Sequence, residues 1–340
     1  MKPILEPRQY DLYSQLYKTS DGRSTPVWVE DVTADVRELM LETYMHGVLA
    51  EQLPPSADLS LEARFRPRWL RREPLVESIE IQLQPSDGGP TCSRTFRNGR
   101  WVRRAEVRAE QLRTEGHLTQ EEPIYQMLTA VPVNGRSGEL QPPVFEVPPI
   151  DDQTWEELGL RGLGAGALRP ARPIVVNSRM EADVAARTRE AGILETGGAC
   201  LGRYVRLPEP LPGATTRIVT VLAASVCDAR HEGSPARWKI SPDAMAEAAQ
   251  LAEISGRRVM TVWHSHGFCD KTCAKDAAQC PLVGPSVFSI HDYDVAERLL
   301  PSKATVMPIC GRAPGQPEPV LVVHGWEDGM RPIPWMRYDD

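Results

Sequence analysis

The sequence predicts two parts: a separate α+β N-terminal domain, then an α/β (α+β) domain built as a mixed sheet flanked by helices. Three observations predict this. Residues 79 to 84 alternate apolar and polar side chains with the period of a half-buried strand, after a stretch of helical periodicity. The second half alternates apolar, strand-like runs with helical segments, one of which opens on the strong start signal Ser241-Pro242-Asp243. Between the halves lie Gly135-Arg136-Ser137-Gly138, Pro142-Pro143, Pro148-Pro149, Gly162-Leu163-Gly164-Ala165-Gly166, Pro170 and Pro173, which is linker punctuation. A length of 340 residues agrees with two domains at about 150 residues each. The division that follows is residues 1–134, a linker at 135–170, a second domain at 171–328 and a tail at 329–340.

In the first part, Thr33 is placed to cap a helix reaching Leu53, with Val36, Leu39, Met40, Tyr44 and Val48 at helical spacing. The alternating strand at 79–84 follows. Asn98-Gly99 then reads as a two-residue hairpin turn that sets Phe96 opposite Trp101. Residues 151–160, inside the linker, suit a short helix. The second part reads as a strand at 174–177, a helix at 180–191, strands at 197–205 and 216–227, the helix opened by Ser241, and a strand at 257–263. A helix at 289–300 and strands at 304–310 and 319–326 complete it.

Composition is that of a soluble globular protein, 41% hydrophobic and 25% charged, with a net charge of −7. Such a balance argues against general affinity for nucleic acid. Arginines do interleave with aromatics at residues 64–72 and 97–108, an arrangement able to grip phosphates and stack bases. Yet residues 1–150 hold 18 Lys and Arg against 22 Asp and Glu, a net of −4, which favours a solvated sheet face or a docking surface for an acidic protein. The N-terminus lacks the apolar core of a signal peptide, and no segment approaches the roughly 18 apolar residues of a membrane span, so a cytoplasmic protein is expected. Its seven cysteines are then expected to be reduced thiols or metal ligands rather than a disulfide framework.

The chemistry gathers around Trp263-His264-Ser265-His266 at the end of an apolar strand. Residues i and i+2 of a strand point to one side, so His264 and His266 share a face. Two imidazoles and a carboxylate suit a zinc ion that keeps its fourth position for water, and Asp292, in Ser289-Ile290-His291-Asp292, can supply the carboxylate. Zinc lowers the pKa of such a water to about 7, given a base to handle the proton. Glu195 is the candidate base. Ser265 points the other way, as a supporting or packing residue, and Trp263 is read as core. Each piece also has a plain structural reading. Two histidines two apart occur by chance on strand ends, Ser289-x-x-Asp292 is a helix cap with an acid in the first turn, and a glutamate beside Gly197-Gly198 is a solvated residue at a bend.

Taken together and in order, Glu195, then His264-Ser265-His266, then Ser289-Ile290-His291-Asp292 resemble the JAMM (MPN-plus) zinc metalloproteases, in their prokaryotic branch. That family's pattern is a glutamate on an early strand followed by H-x-H-x7-S-x2-D. Residues 194 to 203, Leu-Glu-Thr-Gly-Gly-Ala-Cys-Leu-Gly-Arg, look like the family's segment around its glutamate, and the resemblance covers about residues 170 to 328. It departs from the pattern in one place, where twenty-two residues rather than seven separate His266 from Ser289. The resemblance implies an MPN-like fold, zinc on His264, His266 and Asp292, Glu195 as proton carrier and Ser289 as a hydrogen-bond donor to the tetrahedral oxyanion. It also implies cleavage after the C-terminal glycine of a ubiquitin-like protein or its conjugates, in a bacterial conjugation pathway, one of defence operons included, alongside cognate activating and conjugating enzymes. The N-terminal half would bind the substrate or such a partner.

The insertion holds Cys269, Cys273 and Cys280, three thiols in twelve residues, which with His291 can form a second, structural zinc site or remain reduced in a loop. Some deubiquitinating members of the family carry a zinc-stapled insertion there. Other readings stay open: a peptidase that trims sulfur-carrier proteins, a catalytically inert MPN scaffold, and a zinc nucleobase deaminase. The H-x-E and P-C-x-x-C signatures of the last are missing, and Cys280-Pro281 has the order reversed.

Overall fold

A computed structural model describes residues 8–20, 23–55, 61–137, 139–140, 149–154, 156–159, 173–211, 214–228, 238–268, 284–289, 292, 296, 306–313, 316–326 and 330–339. The chain divides into two units, Met1–Val48 with Gln52–Val147 and Leu49–Glu51 with Pro148–Asp340. The architecture is mixed α+β.

The first unit runs β1 (Arg8–Ser20), β2 (Arg23–Asp31), α1 (Asp35–Leu49), β3 (Leu61–Trp69), β4 (Val76–Pro85), β5 (Cys92–Arg97), α2 (Gly99–Thr114), β6 (Ile124–Ser137) and β7 (Glu139–Leu140). Its strands form two antiparallel sheets, ordered β2-β1-β6 and β5-β4-β3-β7. The alternation of β4 does what its period requires: Ile79, Ile81 and Leu83 are fully buried, while Glu80, Gln82 and Gln84 between them are part-exposed. In α1 the spaced residues Val36, Leu39, Met40, Tyr44 and Val48 are all buried, but the helix stops at Leu49 rather than Leu53. Thr33 does not cap it through its hydroxyl. That oxygen accepts the Leu12 amide at 2.9 Å and ties the start of the helix to β1.

The hairpin expected at Asn98-Gly99 is absent, and a helix stands in its place. Phe96 pairs with Ile79 of β4, and Asn98 leads directly into α2. Helical periodicity overrides the local turn signal, because Trp101, Ala105, Ala109 and Leu112 fall on one face and all are buried. Trp101 Nε1 also donates to Asp35 Oδ2 at 2.9 Å. Several arginines of the two stretches that read as a nucleic-acid grip, and the neighbouring Arg94, are turned on acids of the same unit. Arg100 meets Glu38 at 2.9 Å and Glu42 at 3.4 Å, Arg94 meets Glu42 at 2.9 Å, Arg104 meets Asp35 at 3.1 Å and Arg68 meets Glu80 at 2.8 Å.

The second unit contains β8 (Ile150–Asp152), β9 (Ile174–Asn177), α3 (Ser178–Ala191), β10 (Gly197–Arg206), β11 (Ile218–Cys227), α4 (Pro242–Ile254), β12 (Arg258–Ser265), β13 (Val306–Gly311), β14 (Val320–Trp326), β15 (Met330–Pro332) and β16 (Met336–Tyr338). One mixed sheet takes the order β15-β14-β13-β12-β10-β11-β9-β16, with β8 added in parallel beside β10. Helix starts match their local chemistry. Asn177 Oδ1 accepts the Arg179 amide at 2.9 Å to open α3, and Ser241 Oγ accepts the Ala244 amide at 3.1 Å to open α4, with Pro242 at the first position. The apolar stripe of α4 is Ala244, Ala248 and Ala252, and its small side chains let the helix lie close on Ala199 and Leu201 of β10.

Residues assigned to the linker and tail contribute strands. β6 continues to Ser137, β7 and β8 both fall within 135–170, and residues 156–159 form a turn where a helix was expected over 151–160. At the other end, β15 pairs with β14 and β16 with β9. Met336 and Tyr338 are held there by burial among Val175, Val205, Leu207 and Val219, contacts between residues far apart in sequence. In the helix expected at 289–300, the described residues Asp292 and Ala296 are helical, and the others after Ser289 lie outside the described residues. No helix among the described residues is long and apolar enough to cross a membrane. The described cysteines, Cys92, Cys200, Cys227 and Cys310, are free thiols.

Candidate metal centre

β12 is central in the sheet, between β10 and β13, and at its C-terminal end the backbone delivers His264 opposite Gly197 of β10 and Ile309 of β13. His266 lies one residue past the strand, held in line by its amide, which donates to the Cys310 carbonyl at 2.8 Å. The period-two expectation holds: the two imidazole rings lie 5.3 Å apart, centroid to centroid. Asp292 reaches the same point from the opening of a helical turn. Ser289 and Asp292 cap each other reciprocally, the Ser289 amide donating to Asp292 Oδ2 at 2.6 Å and the Asp292 amide to Ser289 Oγ at 3.2 Å. The cap fixes the carboxylate with its oxygens toward the histidines.

The three side chains close on one point. Asp292 Oδ1 lies 2.9 Å from His264 Nε2 and Oδ2 lies 3.4 Å from His266 Nε2, and one ligand atom from each residue falls within 4.8 Å of the others. All three residues are at most 5% exposed. The second nitrogen of His266, Nδ1, donates to the Gly284 carbonyl at 3.0 Å, which orients the ring with Nε2 toward Asp292 Oδ2. His264 differs. Neither of its ring nitrogens makes a hydrogen bond of ordinary geometry, so the short approach to Asp292 Oδ1 is a contact of charge and distance rather than an aligned bond. A buried imidazole in that condition lacks the compensation that buried polar groups normally have. A cation between the three donors would supply it, and the donor set is one that zinc takes.

Electrostatics follow from this crowding. Burial alone would raise the Asp292 carboxyl, but the contacts and charges of His264 and His266 outweigh it and hold the group well below the usual carboxylate range. Burial likewise works to lower the His266 pKa, and Asp292, the Gly284 carbonyl and the charge of Glu195 together raise it.

That last influence locates Glu195. Backbone bonds on either side lay its segment along the chain around His266: the Ser265 amide donates to the Thr196 carbonyl at 2.7 Å, the Thr196 amide to Ser265 Oγ at 2.9 Å, and the Phe268 amide to the Gly192 carbonyl at 2.6 Å. Continued two residues past the Gly197–His264 pair, through the Thr196–Ser265 bond, the antiparallel register sets Glu195 across from His266. Glu195 is half-buried at that edge. Ser265 is the supporting residue expected of it, and Trp263 is fully buried core.

Three features escaped the sequence reading. Trp238 lies parallel to the His264 ring, with centroids 6.1 Å and planes 9° apart. His324 of β14 is fully buried beside the Phe288 ring, 5.3 Å away, and feels the charges of His264, Asp292 and His266. Gly284 supplies the carbonyl that orients the His266 ring. None carries a local signal, since each acts through a partner distant in sequence. Cys269, Cys273, Cys280 and His291, the suggested second zinc site, lie outside the described residues.

No protein-family model matches the chain, and no curated protein matches it. Among solved structures it is similar to the solution structure of protein DSY2949 from Desulfitobacterium hafniense, at 16% identity and a TM-score of 0.34, over 49% of this chain and 94% of that one.

Proposed function

We propose that the second unit is a zinc-dependent peptidase or isopeptidase of the JAMM type, acting after the C-terminal glycine of a ubiquitin-like protein or its conjugates. The observation that carries this reading is the convergence of His264, His266 and Asp292 with Glu195 set across from His266. The order of the elements supports it as well: the glutamate precedes β10, the histidines end β12, and the Ser-x-x-Asp cap opens the next helical turn. The mixed sheet with α3 and α4 against it is the arrangement we read as MPN-like.

His264, His266 and Asp292 would hold the zinc, which when bound polarises a substrate carbonyl and makes water acidic enough to attack at neutral pH. Glu195 takes the proton of the attacking water and returns it to the leaving amine, the usual work of a carboxylate at a half-open edge. Ser289 accepts from the Asp292 amide through Oγ, which leaves its O–H to donate to the oxyanion. Ser265 holds the segment that carries Glu195. An inert scaffold would have no need to keep both the buried ligand set and the carboxylate beside it.

The first unit, with several of its arginines paired internally, suits a protein-docking role better than a nucleic-acid one. We place the protein in the cytoplasm, beside activating and conjugating enzymes of a ubiquitin-like system, and a sulfur-carrier peptidase remains the runner-up. The test is zinc titration of the purified chain together with cleavage of ubiquitin-like proteins extended past their terminal glycine. Zinc bound at this site, lost in Asp292→Ala, with metal-dependent cleavage is the expected result. A protein that binds no zinc and cleaves no such fusion would sink the reading.

A further inference from the structure

The two candidate histidine ligands are oriented by different means, and one of those means is a third aromatic residue. His266 is fixed by its hydrogen bond to the Gly284 carbonyl. His264 has no equivalent, because neither ring nitrogen is hydrogen-bonded with ordinary geometry. Besides the Asp292 carboxylate at its edge, the buried Trp238 indole lies against it in a near-parallel stack at 6.1 Å, inside the range where offset aromatic pairs attract.

The stack has a slot made for it. Gly197 is the cross-strand partner of His264, and a Cβ added there would fall 2.5 Å from Trp238 Cε2 and 2.7 Å from Cζ2. The indole therefore occupies the space over Gly197 that any other residue would fill, and that position brings its face alongside the imidazole. Trp238 belongs to one core cluster with Val262, Met307, Ile309 and Met330, which holds the indole in place.

We infer that Trp238 is a positioning residue for the metal centre, orienting the His264 ring by stacking where His266 is oriented by a hydrogen bond, with Gly197 as the slot that admits it. This inference rests on the metal-site reading above. Freed of the stack, the His264 ring is left with its contact to Asp292 Oδ1 alone, so zinc would have to bear more of the cost of ordering it. Loss of such supporting partners elsewhere costs about 10- to 100-fold in metal affinity.

The experiment is zinc affinity of the full chain, by competition with a chromophoric chelator, for the parent, Trp238→Phe, Trp238→Leu and Met330→Ala. The expected result is a loss of about tenfold or more in Trp238→Leu, near-parent affinity in Trp238→Phe, which keeps a ring to stack, and unchanged affinity in Met330→Ala, which disturbs the same core without touching the imidazole. Parent affinity in a folded Trp238→Leu overturns the inference and leaves the metal site standing. Parent protein without zinc binding overturns both. Should Trp238→Leu fail to fold, the metal-free parent decides by NMR: a carbon-bound ring proton of His264, identified by its loss in His264→Gln, must be shifted upfield by the indole, and a resonance at the ordinary position overturns the stacking role.

Discussion

His266 donates its Nδ1 proton to the carbonyl of Gly284 at 3.0 Å, so its Nε2 is turned to the same small volume as Asp292 Oδ2, 3.4 Å away. With the ring oriented by the backbone, the ligand set exists before any ion arrives. Glu195 bears on this set through its charge and is not one of the three converging ligands, which separates two roles that substitution can tell apart. Glu195→Gln is expected to keep zinc affinity within a few-fold and to lose cleavage by about 100- to 10,000-fold, the usual worth of a positioned proton carrier. His264→Ala is expected to lose both. Parallel zinc titration and turnover measurements check this, and cleavage at the parent rate in Glu195→Gln would take the base assignment away from Glu195.

His324 makes an independent prediction about acid. Burial holds its ring neutral and lowers its pKa to about 4, helped by the charge of His264 and resisted by the Ser286 backbone. Its folded pKa lies below the unfolded value near 6.5, so between the two the unfolded chain binds the extra proton. Stability from this group is complete above about pH 6.5 and is lost as pH falls toward 4, by roughly 3 kcal/mol at full extent. His266, whose pKa is raised, acts only above its unfolded value, and Asp292 only below its own, so of these three site groups only His324 acts between pH 4.5 and 6.5. Urea unfolding of the metal-free protein across that range should show a fall in stability that His324→Leu largely removes. An equal fall in both proteins would assign the acid sensitivity elsewhere.

The parts of this structure that were legible in the sequence are those whose causes are local. Ser241-Pro242-Asp243 opens α4 because a cap acts within three residues, and His264 and His266 share a face because strand period is fixed by backbone geometry. Asn98-Gly99 misled for the complementary reason. Its turn preference is local, whereas the burial of Trp101, Ala105 and Ala109 that makes α2 depends on packing with residues such as Leu16. The three-residue strands β8, β15 and β16 were beyond pattern reading, since strands so short take their shape from the neighbour they pair with. At the site, the ligand types were legible and their support was not. Trp238 and His324 reach it from elements that the sequence does not connect to it.

The cap of α4 gives a prediction about stability alone. Ser241 Oγ accepts the Ala244 amide, and the Ser241 amide itself donates to Asp228 Oδ2 at 2.6 Å, a bond that any residue except proline can make. Ser241→Ala should therefore cost about 1 kcal/mol, from the lost side-chain cap only, and Ser241→Asp should recover most of it. No residue of α4 is among the three converging ligands, so zinc affinity should stay near that of the parent. A destabilisation equal in the alanine and aspartate variants would remove the capping explanation.

Ser265 offers the sharpest separation of position from ligation. Its Oγ accepts the Thr196 amide at 2.9 Å, and its own amide donates to the Thr196 carbonyl, so one residue between two ligands grips the residue next to Glu195 from both sides. Ser265→Ala keeps the backbone half of that grip and leaves the part-buried Thr196 amide without its acceptor, a loss of about 1–3 kcal/mol. The histidines on either side of it still point to the opposite face, with the Gly284 bond and the Trp238 stack untouched. Zinc affinity should then stay near that of the parent, while kcat falls because the Glu195 carboxylate is held less firmly against the attacking water. Ser265→Thr, which restores the hydroxyl, should recover kcat where the added methyl is tolerated. If Ser265→Ala instead weakened zinc binding and left kcat intact at saturating metal, Ser265 would belong to the support of the ligands and not to that of the base.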